Sequence, residues 1–236
     1  MKKILLKAFV ACIAFFFFFF SYPEENSLFG AWKSQDGDNT YTVTFQDGYL
    51  SYSSFNIPAK KFIRSFGGPY KISDNTIIVF GEFDSQFAET IGTEYKFEYS
   101  VKDKKLTAQI GEAKKWDRVD NGMDGLAGNW RISGRMLNNQ MEQVSLRARR
   151  TLKLLSATRF QWMAINIETK EFLGTGGGTY TLNDGKYIET IEFFSRDSSR
   201  VGALLSFDYS LKEGVWIHQG LSSKGAPIYE EWSRLK

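Results

Sequence analysis

The sequence predicts an all-β protein: two tandem antiparallel up-and-down β-barrels of about eight strands each, behind an N-terminal secretory segment. Three observations carry that expectation. The 236-residue chain repeats itself. Its repeated units are strings of short alternating strands separated by turn residues. Its first residues have the layout of a secretory signal.

The repeat is read first. With a shift of 110 residues, "GGPYKISDNTIIVFGEFDS" (67–85) falls on "GGTYTLNDGKYIETIEFFS" (177–195), and "GTEYKFEYSVKDKKLTAQ" (92–109) on "GALLSFDYSLKEGVWIHQ" (202–219). Identities include Gly68/Gly178, Tyr70/Tyr180, Asp74/Asp184, Glu82/Glu192, Gly92/Gly202, Phe97/Phe207 and Tyr99/Tyr209. With gaps, Gly30-Ala31-Trp32 pairs with Gly128-Asn129-Trp130, and Trp116/Arg118 with Trp232/Arg234. Each unit therefore opens on Gly-x-Trp and closes on Trp-x-Arg. The units run from 27 to 119 and from 125 to 236, joined by the turn-rich "DNGMDG". So short a linker implies that the units touch.

Within the units, "YTVTF", "YLSYSSF", "TIIVF" and "YKFEYSV" alternate and are rich in aromatic and β-branched residues. "QDG", "SDN", "KDKK", "NDG" and "KEG" supply the hairpin turns. A long antiparallel meander removes its exposed edges by closing on itself. Only "NQMEQVSLRARRTLK" (139–153) reads as locally helical, and it also reads as a lid or insertion before a strand.

At the N-terminus, Lys2, Lys3 and Lys7 precede an apolar run from Ala8 to Phe20. That run of about 13 residues is short for a spanning helix, which needs roughly 20. Residues 1–21 are expected to be a signal peptide, with Ser21 the local cleavage candidate and an uncleaved anchor the alternative. Cys12 invites a lipoprotein reading, but the greasiest stretch, Phe15 to Phe20, follows it, so a small apolar residue inside the signal fits better. Removing the three lysines from 30 basic residues leaves 27 against 27 acidic ones. A neutral mature chain argues against nucleic acid as a partner, and confines membrane contact to an uncleaved N-terminal segment. Cys12 is the only cysteine, so the mature chain is held by its apolar core, without disulfides.

Gly-x-Trp with a terminal arginine resembles the calycin superfamily of lipocalins and fatty-acid-binding proteins. The second unit is also similar to lipocalin-like domains of unknown function in secreted bacterial proteins, on "GTGGGTYTLNDGKYIETIEFFS" and "YEEWSRL". The resemblance implies that Trp32 and Trp130 plug the barrel floors, with Arg118 and Arg234 packed across them. The units depart from classical lipocalins in having shorter strands and no disulfides.

Strand parity sorts the interiors. Glu82 would be costly inside, so Ile77, Val79, Gly81 and Phe83 are expected to point in, as are Leu106 and Ala108. The matching second-unit set is Tyr187, Glu189, Ile191, Phe193, Trp216 and His218, with Ala203, Leu205, Phe207 and Tyr209. The first interior reads as small and greasy. The second carries large aromatics, one acid and the chain's only histidine, which is the pattern of a small-ligand pocket. Trp162, Tyr187, Glu189, Tyr209, Trp216 and His218 are the candidate ligand-binding residues. Glu189 has a structural alternative, pairing with an arginine such as Arg159. A lone histidine does not make a metal site, and no cofactor motif is present. "GTGGGTY" (174–180) lacks the helix and the Lys-Ser/Thr of a phosphate loop, so its glycines read as a bulge or a barrel corner. "LRARRTLK" (146–153) reads as a solvated strand face or lid rim able to attract an acidic head group.

The leading expectation is a secreted or periplasmic, non-catalytic protein that binds a small, mainly hydrophobic ligand in its second barrel. The alternatives are an envelope or interaction scaffold with packed barrels and an unspecified protein partner, and a barrel isomerase or cyclase using Glu189 and His218 as an acid–base pair.

Overall fold

The computed structural model describes residues 28–123 and 125–235. The secretory segment read from residues 1–21, with Cys12 and Ser21, lies outside the described residues. The rest folds as two closed, eight-stranded antiparallel barrels in tandem.

In the first barrel the strands are β1 (Gly30–Asp36), β2 (Asn39–Gln46), β3 (Tyr49–Asn56), β4 (Lys61–Ser73), β5 (Thr76–Phe80), β6 (Phe83–Asp84), β7 (Glu94–Lys102), β8 (Lys105–Ile110) and β9 (Ala113–Arg118). Each pairs with its successor, β6 is a short continuation of β5 along β4, and β9 returns to β1. The second barrel repeats this with β10 (Gly128–Leu137), β11 (Gln140–Gln143), β12 (Arg149–Leu155), β13 (Arg159–Asn166), β14 (Glu171–Asn183), β15 (Lys186–Phe194), β16 (Leu204–Lys212), β17 (Val215–Leu221) and β18 (Pro227–Arg234). Here β18 closes on β10.

Closure happens where the repeated motifs meet. Trp32 pairs with Arg118, and Trp130 with Arg234. The guanidiniums lie 4.0 and 3.9 Å from the indole centroids. They donate to the carbonyls of Phe29 and Ala127 at 2.6 and 2.7 Å. The indole N–H groups donate to Leu28 and Leu126 at 2.9 and 2.8 Å. Gly30 and Gly128 carry φ of 99° and 153°, and a Cβ on Gly128 would overlap the Arg234 guanidinium.

The inward parity holds up to a bulge. Ile77, Val79, Tyr187, Glu189 and Ile191 are buried inside their barrels. At the bulge, Gly178 pairs with Ile191 but Gly177 pairs with Phe193, so Glu192 is skipped and the faces exchange. Phe193 therefore points out of its barrel and stacks on Phe55 of the first, at 4.7 Å. Its counterpart Phe83 is likewise outside, packed with Leu152, Leu154, Met163 and Ile165. The expectation that Phe83 and Phe193 face inward fails for this reason. The "GTGGGTY" glycines lie in this bulged strand. A Cβ on Gly178 would stand 1.9 Å from the Thr190 carbonyl oxygen, as one on Gly68 would from that of Phe80. Residues 139–153 are not helical: they form the β10–β11 hairpin, an extended segment and the start of β12.

The two barrels pack through a face that obeys the repeat. Ser51 donates to Gln161, its equivalent 110 residues on, at 2.7 Å. Phe62 stacks on its own equivalent, Phe172, at 6.3 Å and 6°. A surface that meets its own copy is isologous, so the barrels are related by a pseudo-twofold axis through these pairs. Asp47, at the floor of the first, accepts from the Asn129 amide and from Arg234 at the floor of the second. Both open ends therefore face the same side.

The linker carries Asp120, which ties the two bodies. Its carboxylate accepts from the Ala31 amide in the first barrel (3.3 Å) and, in the second, from the Ser156 hydroxyl (2.7 Å), the Ala157 amide (3.2 Å) and both donors of Thr158 (3.1 and 2.7 Å). Asp120→Ala leaves these donors to water or to nothing. We expect a loss of about 2–3 kcal/mol in urea-monitored stability, with the unfolding transition broadening as the barrels decouple.

Candidate functional site

The second barrel has a floor half and an open half with different chemistry. In the floor half, Trp130, Trp216 and Trp232 pack on Tyr187, Tyr180, Phe160 and Leu155. Trp216 meets Trp130 edge-on at 5.6 Å and Tyr187 at 5.2 Å. Four ionisable groups share the interior with these rings. Lys153 Nζ is 2.6 Å from Glu189 Oε1, both side chains nearly excluded from solvent. His218 Nδ1 faces Glu230 Oε2 at 3.3 Å, and the Trp232 indole donates to the same oxygen at 3.1 Å.

The structural alternative for Glu189, pairing with an arginine such as Arg159, is met by a lysine. Arg159 holds Glu192 instead, at 2.5 Å. Lys153 takes the role because β12 alternates, so Lys153 and Leu155 share the inward face while Leu152 and Leu154 meet the first barrel. The Lys153 ammonium sits among the rings of Phe160, Tyr187, Trp216 and Trp232, 4.9–5.7 Å from their centroids, an aromatic cage that supplements its carboxylate. The equivalents of Lys153 and Glu189 in the first barrel are Val43 and Val79, both fully buried. An apolar pair in one unit has become a charge pair in the other.

The other candidates fall as follows. Tyr187, Glu189, Trp216 and His218 converge inside the barrel and are buried. Tyr209 is half-buried opposite His218. Trp162 is half-buried opposite Lys153, against Phe194 at 5.3 Å. Glu189 and His218 thus share one interior but each holds its own partner. Sequence reasoning missed Lys153 and Glu230. The signal for Lys153 was the alternation in "RRTLKLL", hidden in a run that reads as a solvated face.

Three polar atoms of this interior, Tyr187 Oη, Trp216 Nε1 and His218 Nε2, have no hydrogen-bond partner among the described residues. Burial pushes the His218 pKa below its ordinary 6.5 and repulsion from Lys153 adds to this, while Glu230 and Glu189 offset only part. Burial works against the charge on Glu230, but His218, Lys153 and the Trp232 indole outweigh it and hold its pKa low. Burial, and then the Glu189 carboxylate, raise the Tyr187 phenol well above its ordinary value.

The open half carries a cavity of about 580 Å³. It is lined by the apolar Ile132, Val144, Leu146, Ala164 and Leu173 together with six arginines, Thr151 and the polar residues Glu142, Gln143 and Ser145. Much of one wall is an insertion. Trp130 follows Trp32 by 98 residues, but Lys153 follows Val43 by 110, so 12 residues are added between them in the second unit. They form the β11 hairpin and the segment before β12, residues 142–147 of which line the cavity. No cluster of His, Cys, Asp and Glu able to hold a metal ion occurs among the described residues.

Closed eight-stranded meanders of this kind are compatible with a lipocalin-like fold. Residues 125–236, the whole second barrel, match the family described as a domain of unknown function, DUF4488. No curated protein matches the chain.

The buried pair gives a mutational cycle. Lys153→Val or Glu189→Val alone strands a buried charge, and each is expected to lose about 3–5 kcal/mol. The double change, which restores the chemistry of Val43 and Val79, should recover most of that loss in denaturant titrations. Acidification gives a second test. With its folded pKa below 6.5, His218 binds its proton more readily in the unfolded chain. Its contribution is therefore complete above 6.5 and is lost as the pH falls below it; Glu230 continues the trend at lower pH. Urea midpoints should drop on acidification from neutral pH, and His218→Phe should flatten the first part of that fall.

Proposed function

We propose that the protein is a non-catalytic binding protein of the cell envelope or exterior, and that its second barrel takes a small, largely apolar ligand through the open end. The observation that carries this reading is the 580 Å³ cavity, in which Ile132, Val144, Leu146, Ala164 and Leu173 supply an apolar part among polar lining residues, a volume within the usual range for small-molecule sites. Its position supports the reading, since the wall is an insertion that the first barrel lacks. The unpaired Trp216 Nε1 and His218 Nε2 deeper in the same barrel add hydrogen-bonding capacity for a guest. The exterior location rests on the signal-like N-terminal segment.

A second reading, a packed interaction scaffold, draws support from the first barrel. Its core clusters Trp32, Phe45, Tyr52, Phe66 and Trp116 with aliphatic residues, and its cavity of about 890 Å³ is a more open one at the β7–β8 wall, lined mainly by polar and charged residues. On the proposed reading, the first barrel is the support and the second the receptor.

A neutral apolar dye such as Nile red tests the proposal. Saturable fluorescence enhancement at micromolar concentration is expected, and Ala164→Phe, which fills the cavity from β13, should abolish it while leaving the melting transition in place. Failure of the wild-type chain to bind any neutral apolar probe would overturn the carrier reading in favour of the scaffold.

A further inference from the structure

The lining of the cavity combines five apolar residues with a strongly basic set. Arg131, Arg135, Arg147, Arg149, Arg150 and Arg196 line it, with Glu142 the one acid among the lining residues. The compensation is slight. Arg135 reaches Glu142 only at 4.0 Å, and Arg150 reaches Glu82 of the first barrel at 3.6 Å. Arg131 and Arg196 are held by backbone carbonyls instead: Arg131 donates to Ile132 and Val144 at 3.3 and 3.0 Å, and Arg196 to Leu173 at 2.5 Å. Such bonds fix a guanidinium in place without neutralising it. The side chains of Arg147 and Arg149 carry no ion pair among the described residues and are exposed. The first barrel has no such rim: the positions matching Arg149, Arg150 and Arg196 are Asn39, Thr40 and Gln86, and Arg147 lies in the insertion.

Four positive charges remain without a carboxylate around one small cavity. A single carboxylate occupies one guanidinium fork. A tetrahedral oxyanion presents several terminal oxygens at once and carries up to two charges, which several forks can share. The apolar walls begin directly beside these arginines.

We infer that the rim of the second barrel binds a phosphate or sulfate group, with the apolar body attached to it lying against Ile132, Val144, Leu146, Ala164 and Leu173. This rests on the carrier reading above and assigns the head group of its ligand. The same oxyanion could come from an amphiphile or from free phosphate.

Calorimetric titration of the full chain with decyl phosphate, decanol and inorganic phosphate separates these cases. We expect decyl phosphate to bind at least about tenfold more tightly than decanol, with an affinity that falls as salt is added. The double variant Arg147→Gln/Arg149→Gln, at two exposed positions, should remove that preference and leave decanol binding and the melting transition unchanged. Weaker binding of inorganic phosphate supports an amphiphile head group. Binding of inorganic phosphate as tight as that of decyl phosphate supports the oxyanion site, assigns it to the free ion and overturns the part given to the apolar walls. Equal binding of decyl phosphate and decanol, unaffected by the double variant, overturns the inference and leaves the carrier reading intact. Binding of none of the three overturns both.

Discussion

The seam between first and last strands is the constraint on which everything else depends. A meander of eight strands has two unpaired edges until its ends meet. Here the seam of each barrel carries the same cross-strand pair, Trp32 with Arg118 and Trp130 with Arg234. The indole occupies the floor and donates to the turn before its own strand. The arginine covers the indole face and satisfies a carbonyl of the same turn. Register, floor and closure are thus set together, which explains why a motif of a few residues recurs at both ends of both units. It is a structural signature, and it says nothing about which barrel binds.

The same economy governs how the barrels meet. An isologous face forces a residue to meet its own equivalent on the axis, as Phe62 meets Phe172 and Ser51 meets Gln161. The second pair shows how covalent tandem linkage relaxes that rule. Serine facing serine would leave a gap, but serine facing glutamine allows Gln161 to bond Ser51, Ser65 and Thr175 at once. The linker breaks the symmetry further. Asp47 in the first barrel accepts from the Asn129 amide, yet the position equivalent to Asp47 is Ala157. Asp120 fills that role from the linker, accepting from the Ala31 amide, the counterpart of Asn129, and from the Ala157 amide itself.

What could be read from the sequence follows from what local patterns encode. The repeat, the alternation and the paired Gly-x-Trp and Trp-x-Arg motifs are short-range, and they gave the two barrels and the inward placement of Tyr187, Glu189, Trp216 and His218. Parity failed at the same place in both units, for Phe83 and for Phe193; in the second, one skipped residue, Glu192, exchanges the faces and sends Phe193 to the neighbouring barrel. The partner of Glu189 escaped for a different reason. Lys153 lies 36 residues away, outside the stretches whose identity reveals the repeat, in a segment dense with other cations. The alternation in "RRTLKLL" is the one local sign that sets Lys153 apart from the other cations of this run; its pairing with Glu189 across the barrel is a long-range fact.

Divergence between the two units is therefore informative in proportion to its cost. Replacing Val43 and Val79 by Lys153 and Glu189 gains little stability by itself, since a buried ion pair at best offsets the desolvation of its partners. Adding 12 residues before β12, with exposed arginines, costs chain entropy and creates self-repulsion. All of these changes fall in one barrel, and the charges of the rim and of the interior lie on the same side of its aromatic floor. The first barrel keeps the apolar interior that stability alone would favour. A duplicated domain freed from holding the fold by itself can carry such costs, because its partner barrel, the isologous face and Asp120 hold the assembly.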